Sequence, residues 1–214
     1  MKVTILCSDP THPVNRWLGL WMEDNRENHE IALLRKASEI VGGDILFLVS
    51  CSEIILATHR EQYKKTLVLH ASDLPLGRGW SPHIWQLLDG QTEFTLTMLE
   101  AEDSVDSGNI VKKEKFHIGE TALWNEISDI IGSRQMALID YAVNNFDNLP
   151  SIEQNKDVKP TYYGRRTPKD SEIDPDKTIA EQFDLIRVCD PDRYPAHFQM
   201  RGQKYKLILE KIDG

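Results

Sequence analysis

The sequence is short of cysteine, of long apolar runs and of excess positive charge, and each shortage removes a class of protein. Cys7, Cys51 and Cys189 are an odd number for a disulfide framework, lie far apart in 214 residues, and include no C-x-x-C pair that would suggest zinc. The histidines lack paired ligand spacing, so no metal is expected. No stretch approaches the roughly 20 apolar residues that a bilayer-spanning helix needs. The apolar run after Lys2 ends at Ser8 and Asp9, too soon for a signal-peptide core. The expectation is a cytoplasmic protein of a reducing compartment, with no membrane contact.

The missing cations are equally informative. Lys and Arg number 25 against 34 Asp and Glu, for a net charge of −9. The deficit lies in residues 1–150, which hold 13 basic and 22 acidic side chains, whereas residues 151–214 hold 12 of each. Neither part has the basic excess that tracks a nucleic-acid backbone, so nucleic acid is not an expected partner. A small phosphorylated ligand needs only two or three cations and stays open.

What is present is an ordinary globular composition, 40% hydrophobic and 28% charged, without repeats or low-complexity tracts. Val3–Cys7, Asp44–Ser50 and Thr66–Leu69 are nearly continuous apolar blocks, as expected of strands buried on both faces of a parallel sheet. Pro13–Glu23 carries Val14, Trp17, Leu18 and Trp21 at helical spacing. His29–Val41 reads as either strand or helix, ending at Gly42-Gly43. Pro82–Leu88 reads as a helix with Ser81 as its N-cap and proline at its first position. Phe94–Leu99 and Ile110–Ile118 read as strands, and Thr121–Asn145 as a long amphipathic helix.

Residues 146–176 read as an extended wrapping segment, followed by a helix over Ile179–Val188 and a hairpin around Arg201-Gly202-Gln203. The expected architecture is α/β, Rossmann-like and mostly parallel, with a core over residues 1–150 and an appendage over 151–214. Asp174-Pro175-Asp176 and Asp190-Pro191-Asp192 read as turn and cap signals rather than metal ligands.

Chemistry concentrates in Leu67–Gly108. His70 follows a buried strand, where open α/β sheets place their ligands. Glu102-Asp103-Ser104-Val105-Asp106 is a carboxylate-rich loop after the strand Phe94–Leu99. A carboxylate beside an imidazole suits acid–base work. The same residues are equally readable as a satisfied histidine and a solvated loop. Gly77 and Gly79 lack the third glycine of a nucleotide fingerprint and read as a turn.

The string HASDLPLGRGWSP, followed at the family separation by VDSGNI, resembles the paired signature of N-formyltransferases that use 10-formyltetrahydrofolate (N-x-H-x-S-L-L-P-x-x-R-G, then D-T-G-D-I). The tail segments TYYGRRTPKDSEID and RVCDPDRYPAHF resemble members acting on nucleotide-linked amino sugars, nearest to those of bacterial surface-glycan (pseudaminic-acid-type) pathways. The resemblance implies His70 as general base and Asp106 as its orienting carboxylate. It implies 10-formyltetrahydrofolate as co-substrate, held between Ser52, Glu53, Ile54 and Ile55 and the loop with Asp103 and Ser104. Arg78, Tyr163, Arg165 and Arg166 are then the candidates for the sugar nucleotide, with Trp80 and Trp85 as further stacking surfaces.

One position departs from the pattern: Val68 stands where the family has the asparagine that donates to the oxyanion. Protonated His70 could donate instead, another group could take the role, or the chain could bind without catalysing. Other transformylases or hydrolases using the same folate are the alternatives within enzymes. The short tail, as well as the charge, argues against tRNA, while the hairpin could pair a homodimer.

Overall fold

The structure is a computed structural model, described for residues 1–212. Six strands form one sheet in the order β2-β1-β3-β4-β6-β7: β1 (Lys2–Leu6), β2 (Glu30–Leu34), β3 (Gly43–Leu48), β4 (Tyr63–His70), β6 (Glu93–Glu100) and β7 (Ile110–His117), with β5 (Arg78–Gly79) lying outside it. The first four are mutually parallel, and β6 and β7 add antiparallel at one edge. The fold is the expected mostly parallel α/β sheet.

Strand alternation divides the core. Val3, Ile5, Ile45, Phe47, Leu67 and Leu69 point to one face, in the main cluster with residues of α1 (Val14–Asn25) and α4 (Trp124–Asn144). Leu6, Leu46 and Leu48 point to the other, where Ala37, Ile40, Ile55 and Tyr63 cover them. Each such buried aliphatic or aromatic side chain contributes about 1.5–3 kcal/mol. Among the described residues no long helix lies on this second cluster, and α2 (Ala57–Arg60), which follows Ile55, is a single turn. Thr66, Val68 and His70, at alternate positions of β4, share a face opposite Leu67 and Leu69.

His29–Val41 resolves into both of its readings: the strand β2, then a one-turn 3₁₀ helix at Ala37–Glu39. The Glu39 carboxylate closes that turn by accepting from the Arg35 and Lys36 amides at 2.8 and 3.1 Å. Two expectations need correction. Ser81 precedes α3 (Pro82–Leu88) but makes no side-chain capping bond, because its backbone is left-handed at φ 45. The helix expected over Ile179–Val188 is a 3₁₀ turn, Ala180–Gln182, followed by the five-residue helix Phe183–Arg187. The break falls at Gln182, whose buried side chain bonds the Asp174 amide and carbonyl at 2.7 and 2.9 Å.

The segment after α4 wraps back as a strap. Ile152 bridges to Ile110, and β8 (Tyr162–Tyr163) pairs in parallel with β5. The chain ends in an antiparallel pair, β9 (Ala196–Met200) and β10 (Gln203–Leu207). No helix among the described residues is long and apolar enough to cross a membrane.

Candidate active site

The sheet reverses direction at β1: the chain passes to β2 on one side and then to β3 on the other. Ligands of open α/β sheets bind outside the carboxyl ends of strands beside such a reversal. Ser8 stitches this point, its hydroxyl reaching the Ser50 carbonyl at 3.3 Å and accepting from the Ser52 amide at 2.8 Å. His70, the last residue of β4, lies at the same end and is buried.

His70 Nε2 meets the Gly77 carbonyl at 2.8 Å. A carbonyl only accepts, so Nε2 carries the proton and Nδ1 keeps the lone pair. Nδ1 faces Asp106 Oδ1 at 3.6 Å, with both side chains 8% exposed. That separation is beyond a direct hydrogen bond. The other carboxylate oxygen of Asp106 accepts from the Gly79 amide at 2.8 Å.

The rest of the strap fixes this arrangement. Gln154 Nε2 donates to the Asp106 and Gly108 carbonyls at 2.8 and 2.9 Å, while its Oε1 accepts from Arg78 at 2.7 Å. Gly79 admits the strap because it has no Cβ: one built there would lie 2.5 Å from the Tyr163 carbonyl oxygen, at φ +95. Arg78 and Tyr163 are therefore engaged structurally, Arg78 also reaching the Tyr162 hydroxyl at 3.3 Å and Tyr163 stacking on Trp85 at 6.3 Å.

Val68 packs against the cluster of Ile55, as Cys51 and Ala101 do, and its side chain offers no hydrogen-bond donor. The two loops expected to hold folate are joined by Arg60, which donates to the Ile55 carbonyl and the Asp103 carboxylate at 2.6 Å each. Ile54 and Val105 remain exposed on these loops, whereas Ile55 is core. Glu53 turns away to accept from the Ala37 amide at 3.3 Å, and Ser104 offers its carbonyl to Ser107 at 2.8 Å. Arg165 is exposed over Trp80 at 4.8 Å. Arg166 donates to the Asp170 carbonyl at 2.5 Å, and its Nε is buried without a partner. No group of three metal-ligating side chains occurs among the described residues.

Three further residues join the crevice that sequence reasoning passed over. His12 Nδ1 accepts from the Val14 amide at 3.1 Å, so its Nε2 donates to the Ser50 hydroxyl at 3.2 Å. Burial, reinforced by the Arg193 charge, brings its pKa down to about 4. Burial also brings His83 down to about 3, and the nearby Arg166 charge acts in the same direction. Arg193 donates to Asp9 at 2.5 Å across 184 positions of sequence. The one signal available was position, since His12 follows β1 closely and His83 opens α3.

These groups set an acid response. In the unfolded chain histidine titrates near ~6.5, above both folded values, so the unfolded state binds protons first. Stability is full above that pH and falls as pH drops toward 4 and 3, the values of His12 and His83. For Asp9, burial opposes the charge, but bonds from the Thr11 hydroxyl, its amide and Arg193 outweigh it and lower the pKa from 3.8 to about 2. Its contribution is lost over that lower interval. Urea midpoints should therefore decline from pH 7.5 to 4.5, and His12→Asn, which keeps an acceptor for Val14, should flatten the decline.

The buried imidazole–carboxylate pair thus sits at the carboxyl end of a mostly parallel α/β sheet that reverses at β1. Residues 8–136 match the Formyl transferase family, and the chain belongs to it. A methionyl-tRNA formyltransferase from Clostridium thermocellum superposes with TM-score 0.84 at 19% identity, over 100% of this chain and 94% of that one. A 4-N formyltransferase from Francisella tularensis gives TM-score 0.71 at 18% identity, over 99% and 98%. HypX from Aquifex aeolicus, solved with tetrahydrofolic acid, gives 0.80 at 17% identity over 98% of this chain and 37% of that protein. These identities establish a shared fold.

Proposed function

We propose that this formyltransferase moves a formyl group from 10-formyltetrahydrofolate to the amine of a nucleotide-linked amino-dideoxy sugar. The observation that carries the reading is the buried His70–Asp106 pair at 3.6 Å, with one imidazole nitrogen already satisfied by Gly77. The joined loops fit the folate: Ile54 and Val105 provide exposed apolar surface on segments held together by Arg60. Bound there, it supplies the formyl carbon and leaves as tetrahydrofolate.

The protein's task is then the proton. As the acceptor nitrogen bonds to the formyl carbon, it becomes cationic and must lose a proton while the formyl oxygen becomes anionic. His70 Nδ1 takes that proton, and the resulting imidazolium is stabilised by the Asp106 carboxylate, which is anchored by the Gly79 amide. The same Nδ1–H then serves as donor to the anionic oxygen or returns the proton to the leaving nitrogen. This makes Nδ1 the substitute for the donor lacking at Val68. Removal of an oxyanion donor costs about 10²–10³ in rate elsewhere. Val68→Asn should therefore raise kcat by about tenfold, measured as tetrahydrofolate release.

The reading includes a cytoplasmic location and surface-glycan synthesis, with a homodimer paired through the tail hairpin. Its acceptor assignment rests on the tail likeness and on the 4-N formyltransferase neighbour from Francisella tularensis. The net charge of −9 weighs against the tRNA substrate of the Clostridium neighbour. The apolar Val68 favours one second reading, a folate or sugar-nucleotide binding protein without turnover. Incubation with 10-formyltetrahydrofolate and nucleotide-linked 4-amino-4,6-dideoxy sugars separates them: release of tetrahydrofolate supports transfer, and binding of both ligands without release overturns it.

A further inference from the structure

The β9–β10 hairpin is an anomaly of charge. Residues 196–207 contain Arg201, Lys204 and Lys206 but no carboxylate, in a chain of net charge −9. With Arg193 and Tyr194 before it and Ser171 of the strap opposite, the hairpin lines a cavity of about 420 Å³. That volume is in the range of small-molecule sites.

The lining combines cations with exposed rings. Tyr194 and Tyr205 are 48% and 47% exposed. Both are held in place, Tyr205 by stacking on Phe198 at 5.5 Å and Tyr194 by the Arg193 guanidinium at 5.1 Å from its ring. Arg193 is balanced by Asp9 and Asp190, and Lys206 reaches Asp192 at 3.5 Å. Lys204 is exposed and has no ion-pair partner among the described residues. Aromatic faces beside uncompensated positive charge suit a planar ring carrying an anionic group.

Two contacts join the lining of this cavity to the chain around the candidate site. Ser171 contacts Arg166 at 3.4 Å. Arg193 bonds Asp9 in the loop after β1, and β1 runs parallel to β3 and β4, so this loop lies at the same end of the sheet as His70.

Resting on the transfer reading above, we infer that the cavity holds the nucleoside diphosphate end of the acceptor, with its base against Tyr194 and Tyr205 and its phosphates toward Lys204. The acceptor amine then lies at the His70 end. Arg78 and Tyr163, occupied by the strap, are not needed for this recognition.

The test is direct binding of UDP, dTDP, GDP and inorganic pyrophosphate by calorimetry, with no formyl transfer involved. At least one nucleoside diphosphate should bind more tightly than pyrophosphate. Tyr205→Ala and Lys204→Glu, two substitutions of exposed side chains, should each weaken it about tenfold. Binding that ignores both substitutions, or no binding by any of the three nucleotides, overturns the site. Diphosphate binding that depends on both residues, with no nucleotide-linked amine formylated, keeps the cavity and removes the transfer reading. Formylation with KM unchanged in both variants keeps the transfer reading and removes the cavity.

Discussion

His70→Ala should lower kcat for formyl transfer by about 10³-fold while the protein remains folded. Positioned acid–base groups contribute about 10²–10⁴ in rate, and here the same nitrogen is asked both to accept the amine proton and to face the developing oxyanion. The substitution leaves the buried Gly77 carbonyl without its partner, which costs about 1–3 kcal/mol, so the melting temperature should fall by roughly 2–12 °C with the protein still folded at room temperature. Single-turnover rates with bound folate separate the chemical loss from any change in affinity. A variant retaining a tenth of the wild-type rate would remove His70 from the chemistry.

Asp106→Asn sharpens that result. Its amide oxygen can still accept from Gly79, preserving the 2.8 Å contact that positions the loop. Its NH₂ would then point at the lone pair of His70 Nδ1, occupying the nitrogen that must take the proton. The expected outcome is a fall in kcat with little change in KM, following the logic of tautomer control in a triad. An equal fall in stability and activity would instead assign Asp106 to the fold.

The sheet was legible because its chemistry is local. Ile5, Ile45, Phe47 and Leu67 lie in short, nearly continuous apolar blocks, the pattern of strands buried on both faces. The edge strand β2 was ambiguous because Glu30–Leu34 is only partly buried and passes directly into a turn. The short tail helix was over-extended because nothing in its periodicity reveals that the Gln182 amide bonds backward to Asp174.

For the site, the motif pointed to His70 and Asp106, and the structure puts them 3.6 Å apart. It could not tell that Gly77 takes the other imidazole nitrogen, or that Arg78 is held by Gln154 from the strap. His12, His83 and Arg193 were invisible for a related reason. Their significance comes from proximity across the crevice, and residues as far apart as Asp9 and Arg193 share no sequence pattern.

Gly108→Ala should be the most disruptive small substitution near the site, costing about 3 kcal/mol or more. A Cβ at Gly108 would overlap the Glu100 carbonyl oxygen. That oxygen belongs to the end of β6, which is hydrogen-bonded into the sheet and has little freedom to retreat. The strain must therefore move the loop, and Asp106 lies two residues upstream with its own carbonyl bonded to Gln154. Activity should fall even well below the melting temperature, because the carboxylate is displaced from His70 Nδ1. Gly119→Ala is the control, since an added Cβ there meets nothing within 4 Å, and its stability should stay within about 0.5 kcal/mol of wild type. Denaturant midpoints with kcat for both variants distinguish the outcomes. A Gly108→Ala protein as stable and active as Gly119→Ala would show that the loop carrying Asp106 moves independently of β6.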